Sequence, residues 1–335
     1  MKKKNIFLLA ALAGLLSAGC NKTPLDSALS VPAADRSAIT GPLSRLTVRA
    51  GTPGTRITGM NEDDAISDLQ VMVFGADGKL EAYGHENGMQ VSLECTNGEK
   101  KIYAFVNTPS LAAIRDTVEL KTHPFSLLDA GAQALPMQGC VVTMVSGNGN
   151  LVIPVNRMVC KIAIKRIKMQ ETEHYTNPHL ELERIYLANA VSAVDLDGNI
   201  SEWSNPLRFF YDCSPLLYDL YEDDPLIIEA EQTLGNYFYT FPNATPADNY
   251  SSVWCPRHTR LVLEGKFYDG AAFVRKGYYP ISLAGLKANN CYIVDSYTIT
   301  RPGLEQPYED ESKLTEGISI RVADWVENDP INESL

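Results

Sequence analysis

From Leu46 onward the chain runs in short stretches of alternating apolar and polar residues, broken by Gly, Asn, Asp and Pro. Alternation with period two sets successive side chains on opposite faces of a strand. Many such stretches at turn spacing predict an antiparallel sandwich. Leu69–Phe74 reads as a strand closed by the turn Ala76-Asp77-Gly78-Lys79, with Leu80–Tyr83 as its hairpin partner. Met89–Leu93 and Lys101–Asn107 follow, with an Asn97-Gly98 turn between them. Residues 108–130 are the place for short helices, around Ser110–Arg115 and Pro124–Ala130. Strands resume at Cys140–Val145, Asn150–Pro154 and Met158–Met169, the last long enough to cross from one domain into the next. Leu180–Ala190, Tyr237–Phe241, Arg260–Phe267, Phe273–Tyr278, Tyr292–Thr300 and Ile318–Val326 complete the series, and 195–235 is loop-rich. No fixed-period repeat and no heptads stand out.

The first twenty residues break this pattern. Lys2, Lys3 and Lys4 precede an apolar run from Ile6 to Leu16, shorter than the ~20 residues a permanent membrane helix needs. This is the layout of a secretory signal peptide. Its last residues, Leu16-Ser17-Ala18-Gly19-Cys20, resemble a bacterial lipobox, in which the Cys20 thiol is diacylated and the bond before it is cut. Two acyl chains anchor firmly, at about 0.8 kcal/mol per buried methylene. Residues 21–45, rich in Ser, Ala, Pro and Thr, read as a tether leading away from the membrane.

Charge narrows the partners. Residues 1–56 hold 8 of the 29 Lys+Arg and 2 of the 41 Asp+Glu, which leaves 21 against 39 and a net charge of −18 for 57–335. Such a surface repels nucleic acid and anionic lipid alike. With Cys20 lipidated, Cys95, Cys140, Cys160, Cys213, Cys255 and Cys291 remain. Export permits disulfides, but most of these thiols sit in strand-like runs and read equally well as small buried side chains.

Candidate chemistry is thin. Asp195-Leu196-Asp197-Gly198-Asn199 looks like half a calcium loop but lacks the distant bidentate Glu, and it reads as an Asp-Gly turn. Glu222-Asp223-Asp224 reads as a solvated loop before Pro225. Cys255-Pro256-Arg257-His258 has a thiol and an imidazole but no second ligand pair at zinc spacing. No nucleophile elbow, phosphate loop or His-Glu-x-x-His is present. The expectation is a non-enzymatic protein without cofactor or metal.

One segment asks for an explanation. Leu46-Thr47-Val48-Arg49-Ala50 is an isolated alternating run, with Leu46, Val48 and Ala50 on one face and Thr47 and Arg49 on the other. It leads directly into Gly51-Thr52-Pro53-Gly54-Thr55-Arg56-Ile57, a Gly- and Pro-containing stretch of the kind proteases cut. Such a strand could be a removable piece of the fold.

An ordered series of motifs resembles the type V pilus fimbrillin family. It comprises the lipobox, the Thr55-Arg56 step, Leu69–Phe74 with Asp77-Gly78, Tyr103-Ala104-Phe105-Val106-Asn107-Thr108 and Asn156-Arg157-Met158-Val159-Cys160-Lys161. Tyr278-Tyr279-Pro280-Ile281, Asn289-Asn290-Cys291-Tyr292, Thr298-Ile299-Thr300-Arg301-Pro302-Gly303 and Val322-Ala323-Asp324-Trp325-Val326 continue it almost to the end of the chain. The resemblance implies an all-β fold of two tandem transthyretin-like antiparallel β-sandwich domains. It further implies a signal peptide and lipobox over 1–20, a propeptide tether with the removable strand over 21–56, and domains over 57–155 and 156–335. An Arg-specific surface protease would cut at Arg56–Ile57; Arg49 and Arg45 match less well, and a cut at Arg45 would leave Leu46–Ala50 attached. The terminal segment, with Ile318, Ile320 and Val322 on one face and Val326 beyond, is the implied donor strand.

The resulting expectation is an outer-membrane lipoprotein that becomes a fimbrial shaft subunit at the cell surface. It would polymerise by donor-strand exchange with other pilin subunits, in a pilus that also has anchor and tip subunits, and would support adhesion. Two other roles fit the same residues: an anchor subunit that keeps its lipidated Cys20, and a glycan-binding surface lipoprotein using aromatics such as Trp203 and Trp254.

Overall fold

The computed structural model describes residues 41–51, 65–127, 135–203, 218–220, 224–245, 258–309, 314 and 318–324. Among them strands dominate. The first half comprises β1 (Leu43–Gly51), β2 (Asp68–Phe74), β3 (Leu80–Asn87), β4 (Gln90–Thr96), β5 (Gly98–Val106), α1 (Thr117–Thr122), β6 (Phe125–Ser126), β7 (Met137–Val145), β8 (Gly149–Pro154) and β9 (Asn156–Arg157). Two sheets face each other, β4-β1-β8 and β3-β2-β5-β7-β9. Their facing sides meet in one core built from Leu46, Val48, Ala50, Val91 and Leu93 on one sheet and Leu69, Val71, Val73, Ile102, Ala104 and Val106 on the other.

Strand β2 is buried along both faces, which is why Leu69–Phe74 reads as a continuous apolar run. Leu69, Val71 and Val73 face the sandwich core. Met72 and Phe74 face away, into a second core with Tyr103, Phe105, Leu111, Leu120 and Phe125. The 108–127 segment covers that outer face. Its helix is α1, set between the two positions expected from sequence. Asp116 starts it, its Oδ1 accepting from the backbone N–H groups of Val118 and Glu119 at 3.0 Å each. Ser110–Arg115 is a turn rather than a helix, and Phe125-Ser126 is a strand.

The second half comprises β10 (Cys160–Ile164), β11 (Arg166–Met169), β12 (Pro178–Ala188), β13 (Val191–Val194), β14 (Ile200–Trp203), β15 (Tyr218–Leu220), β16 (Leu226–Ile228), β17 (Glu231–Thr233), β18 (Tyr237–Thr240), β19 (Thr259–Asp269), β20 (Ala272–Leu283), β21 (Asn290–Ile299) and β22 (Ile318–Asp324). Residues 158–169 are thus not one long strand. Strand β9 pairs with β7, whereas β10 and β11 pair with β21, so the change of sheet falls at Met158-Val159. The long antiparallel ladders β12–β19 and β19–β20 form the other main sheet. Strand β6 pairs with β13, and the outer core of the first half is continuous with the core of the second.

Both halves use their first strand in the same way. Strand β1 has an antiparallel neighbour, β4, and a parallel one, β8. Strands β10 and β11 have antiparallel neighbours, β18 and β17, and a parallel one, β21. The second half adds β22 antiparallel to the outer side of β21. Parallel pairs are few here, and each joins segments about a hundred residues or more apart.

Candidate functional site: the seat of the first strand

Strand β1 occupies the middle of its sheet. Leu46 stands opposite Leu93 and Gly149, Val48 opposite Val91 and Leu151, and Ala50 opposite Ile153. These three side chains are 6 %, 0 % and 1 % exposed, while Arg45 and Arg49 face solvent. The alternation read from sequence therefore has a physical cause: one face of β1 fills a trench floored by the opposing sheet. Glycine shapes the floor, since a Cβ on Gly84 would lie 2.5 Å from Val91 Cγ1.

Polar contacts fix both ends of the strand. At the start, Asn97 N–H donates to the Pro42 carbonyl at 3.3 Å and Arg45 N–H to Asn148 Oδ1 at 2.7 Å. Ser44 is buried and its hydroxyl bonds Asn97 Oδ1. At the far end, Ala50 N–H donates to the Met89 carbonyl at 3.0 Å and Val155 N–H to the Gly51 carbonyl at 2.7 Å. Between them the Thr47 and Ser92 hydroxyls lie 3.0 Å apart. Ser44 was not singled out from sequence; a serine carries no apolar signal, and only the turn partner Asn97 explains its burial.

The trench is polar beneath its entrance. Lys100 is buried, with Nζ 2.6 Å from Glu81 Oε1 and 2.9 Å from Thr96 Oγ1. Thr96 in turn donates its hydroxyl to Glu81 Oε2 at 2.8 Å. Cys95, opposite Ser44, has its thiol pKa raised, by burial first and then by the Glu81 charge. The Asn97-Gly98 turn beside this cluster is a corner between sheets rather than a hairpin: β4 pairs with β1, and β5 with β2 and β7. Gly98 takes φ 124° there, a backbone that favours glycine.

The remaining sequence candidates are dispersed. Cys20, Arg56, Ile57 and Val326 lie outside the described residues, as do Cys255, Glu222 and Asp223. Ile318, Ile320 and Val322 lie on β22, opposite Tyr297, Val294 and Tyr292 of β21. Asp195–Asn199 is a turn between β13 and β14, with Asp195 Oδ1 accepting from Asn199 N–H at 2.8 Å. His258 is buried. Among the described residues no group of three or more His, Cys, Asp or Glu side chains is placed to hold a metal ion. Nor is any helix there long and apolar enough to cross a membrane.

Comparison with known proteins follows the same lines. Residues 44–184 match the family model described as major fimbrial subunit protein (FimA), from Ser44 in β1 to Arg184 in β12. Among curated protein sequences none matches the chain. The fimbrilin FimA of Porphyromonas gingivalis W83 is similar in structure, with TM-score 0.61 and 18 % identity, covering 84 % of this chain and 98 % of that one. A candidate cell adhesion protein of Bacteroides eggerthii has TM-score 0.60 and 16 % identity, covering 86 % and 97 %. One from Parabacteroides distasonis has TM-score 0.60 and 15 % identity, covering 85 % and 97 %. The resemblance to the fimbrillin family read from the ordered motifs therefore holds: this chain carries a FimA-type fimbrial-subunit sequence over residues 44–184 on a fimbrilin fold.

Proposed function

We propose that this protein is a structural subunit of a cell-surface fimbria that polymerises by strand exchange after proteolysis removes β1. The observation that carries this reading is the position of β1 in the middle of a sheet. Removing an edge strand would leave one bare edge. Removing β1 leaves two, β4 and β8, about two strand spacings or 9–10 Å apart, with an apolar trench between them. Unsatisfied backbone groups on both sides make that gap a template for another strand.

Rough magnitudes suit a durable polymer. Three buried aliphatic side chains contribute ~1.5–3 kcal/mol each. About five net backbone bonds near ~1 kcal/mol each bring the gross sum to on the order of 10 kcal/mol, from which association costs subtract. Slow withdrawal of the strand keeps such a polymer together better than equilibrium affinity alone.

The finer steps belong to the same reading. Acylated Cys20 holds the exported precursor at the outer membrane. An Arg-specific surface protease cuts Arg56–Ile57 and frees the segment bearing Leu46, Val48 and Ala50. The chain is divided near residue 156 into an N-terminal acceptor domain and a C-terminal donor domain, and the terminal strand of the next subunit fills the gap. Other pilin subunits are thus its main partners, and the subunit does no chemistry of its own.

The test is direct. Exported wild-type protein should form ladders stable in unboiled SDS, and Arg56→Ala should form none. Ladders of unchanged length from the alanine variant overturn cleavage-triggered exchange at this site.

A further inference from the structure

Strand β7 closes one side of the first sandwich and leaves most of its outer edge open. Strand β5 flanks it along its whole length, without a register shift. On the other side β9 pairs only with Met137 and Gln138. Among the described residues, none pairs there with Gly139–Val145. The facing sheet ends on the same side with β8, joined to β7 by the short turn 146–148.

The β9 pairing also fixes which backbone groups the open edge offers. Met158 N–H donates to the Pro136 carbonyl at 2.8 Å, so the backbone groups of residue 136 face β9. Such groups alternate sides along a strand. Those of Cys140, Val142 and Met144 therefore point to the open side. Their side chains lie on the outer face of the sheet, where Val142 and Met144 are 58 % and 66 % exposed and Cys140 is exposed as well.

An open edge is ordinarily shielded by charge, proline or a bulge. Residues 139–145 have no charged residue and no proline, and their ladder with β5 has no bulge. The run from Ala130 to Asn156 holds no Asp, Glu, Lys or Arg and is the longest such run in a chain of net charge −12. A second acidic copy is repelled by the protein as a whole and meets no charge at this edge.

We propose that two copies join edge to edge through β7, antiparallel about a two-fold axis at Val142. The ends of the open window set the register. Strand β9 holds the edge up to Gln138 and β7 ends at Val145, so the overlap centres on residue 142. Val142 then stands opposite Val142 of the second copy, and Cys140 opposite its Met144. Each of these pairs exchanges about two backbone hydrogen bonds, and the exposed side chains cover one another. A pair centred on Cys140 fails, because it sets Val142 of the second copy against Gln138, where β9 already lies. The contact is isologous and uses neither β1 nor β22, so it needs no cleavage.

Single cysteines test this on the full exported chain, oxidised on cells and boiled in SDS without reductant, which leaves only covalent pairs. Cys140→Ser with Val142→Cys should give a dimer lost on adding reductant. The two Cα atoms lie about 5.5 Å apart, within disulfide reach. Met144→Cys with Cys140 retained should link as well. Met144→Cys with Cys140→Ser should stay at the wild-type background, since the two cysteines are then about 13 Å apart along the strands. If position 142 does not link, or the last variant links equally well, the two-fold pair is overturned. Linking of position 142 to a different polypeptide overturns the second copy as occupant. Val142→Lys, at an exposed site, needs no disulfide: like charges meet on the axis. It should weaken dimerisation of the purified precursor at least about tenfold in sedimentation equilibrium, with the urea midpoint unchanged. Dimerisation equal to wild type, or a wild type that stays monomeric, overturns the pairing.

Discussion

Gly139 of β7 lies directly beneath Pro154 of β8: a Cβ at 139 would stand 2.2 Å from the Pro154 carbonyl oxygen and 2.9 Å from Ile153 Cγ2. This close crossing ties β8 to the opposite sheet independently of β1. It is what would keep one wall of the trench in place once β1 has gone. Gly139→Ala should therefore cost about 1–3 kcal/mol through overpacking, measured as a lower urea midpoint. It should also reduce ladder yield from the cleaved protein.

Gln70 is a polar residue at the centre of the apolar strand β2, and it organises the segment covering the outer face. Its Nε2 donates to the Thr108 carbonyl at 2.8 Å and the Pro109 carbonyl at 3.1 Å. Its Oε1 accepts from Tyr83 OH at 2.9 Å and Leu111 N–H at 2.8 Å. Gln70→Leu removes these four contacts and a fifth, from Nε2 to Thr108 Oγ1 at 3.2 Å, and the stranded buried groups should cost about 3 kcal/mol. Hydrogen exchange should speed up first at Leu111, whose amide loses its acceptor.

Lys276 bridges two carboxylates on the long sheet of the second half, with Nζ 2.7 Å from Glu183 and 2.6 Å from Glu264. Lys266 reaches Glu183 at 2.8 Å. Burial works against the charge on Glu183, yet the bonds from Lys266 and Lys276 prevail and hold its carboxyl below the ordinary range. Burial likewise opposes the charge on Lys276, and the two carboxylates more than offset it, raising the pKa of the ammonium. The stabilisation from Glu183 is complete above about pH 4.3, its unfolded value, and is lost as pH falls through the lower folded one. That from Lys276 is complete below about pH 10.4 and is lost as pH rises through the higher folded one. Lys276→Met should cost about 1–3 kcal/mol at neutral pH, chiefly by weakening the pairing of buried Glu264. It should also flatten both limbs of the urea-midpoint profile between pH 3 and 11.

How much of this was legible in the sequence depends on how far apart the partners lie. The face of β1 was readable because Leu46, Val48 and Ala50 alternate with polar residues within five positions. The apolar run Leu69–Phe74 announced a strand, but not that one face belonged to the sandwich and the other to α1 and β6. The Asn97-Gly98 turn was visible as a turn. Its role as a corner was not, because it depends on β4 choosing β1, more than forty residues earlier. The break in 158–169 was hidden for a similar reason: a run of strand-like alternation changes sheet at Met158-Val159, and only the partners β7 and β21 fix where. Least visible of all was the parallel pairing of β1 with β8, about a hundred residues away, and it is this pairing that makes the first strand central.

On the strand-exchange reading β1 leaves the fold, whereas β10, its counterpart in the second half, directly follows β9, which pairs with β7. A variant in β1 should consequently act on one state of the protein only. Leu46→Ala removes a fully packed side chain and should destabilise the uncleaved precursor by about 2–5 kcal/mol. The polymer made from the same variant should melt like wild type if strand exchange has removed β1 from it. Ile320→Ala should do the reverse, weakening the polymer more than the precursor, where β22 is an edge strand. Paired melting curves of precursor and polymer separate the two effects. Equal losses in both states for Leu46→Ala would mean that β1 stays in the assembled subunit, and removal of the first strand would have no part in assembly.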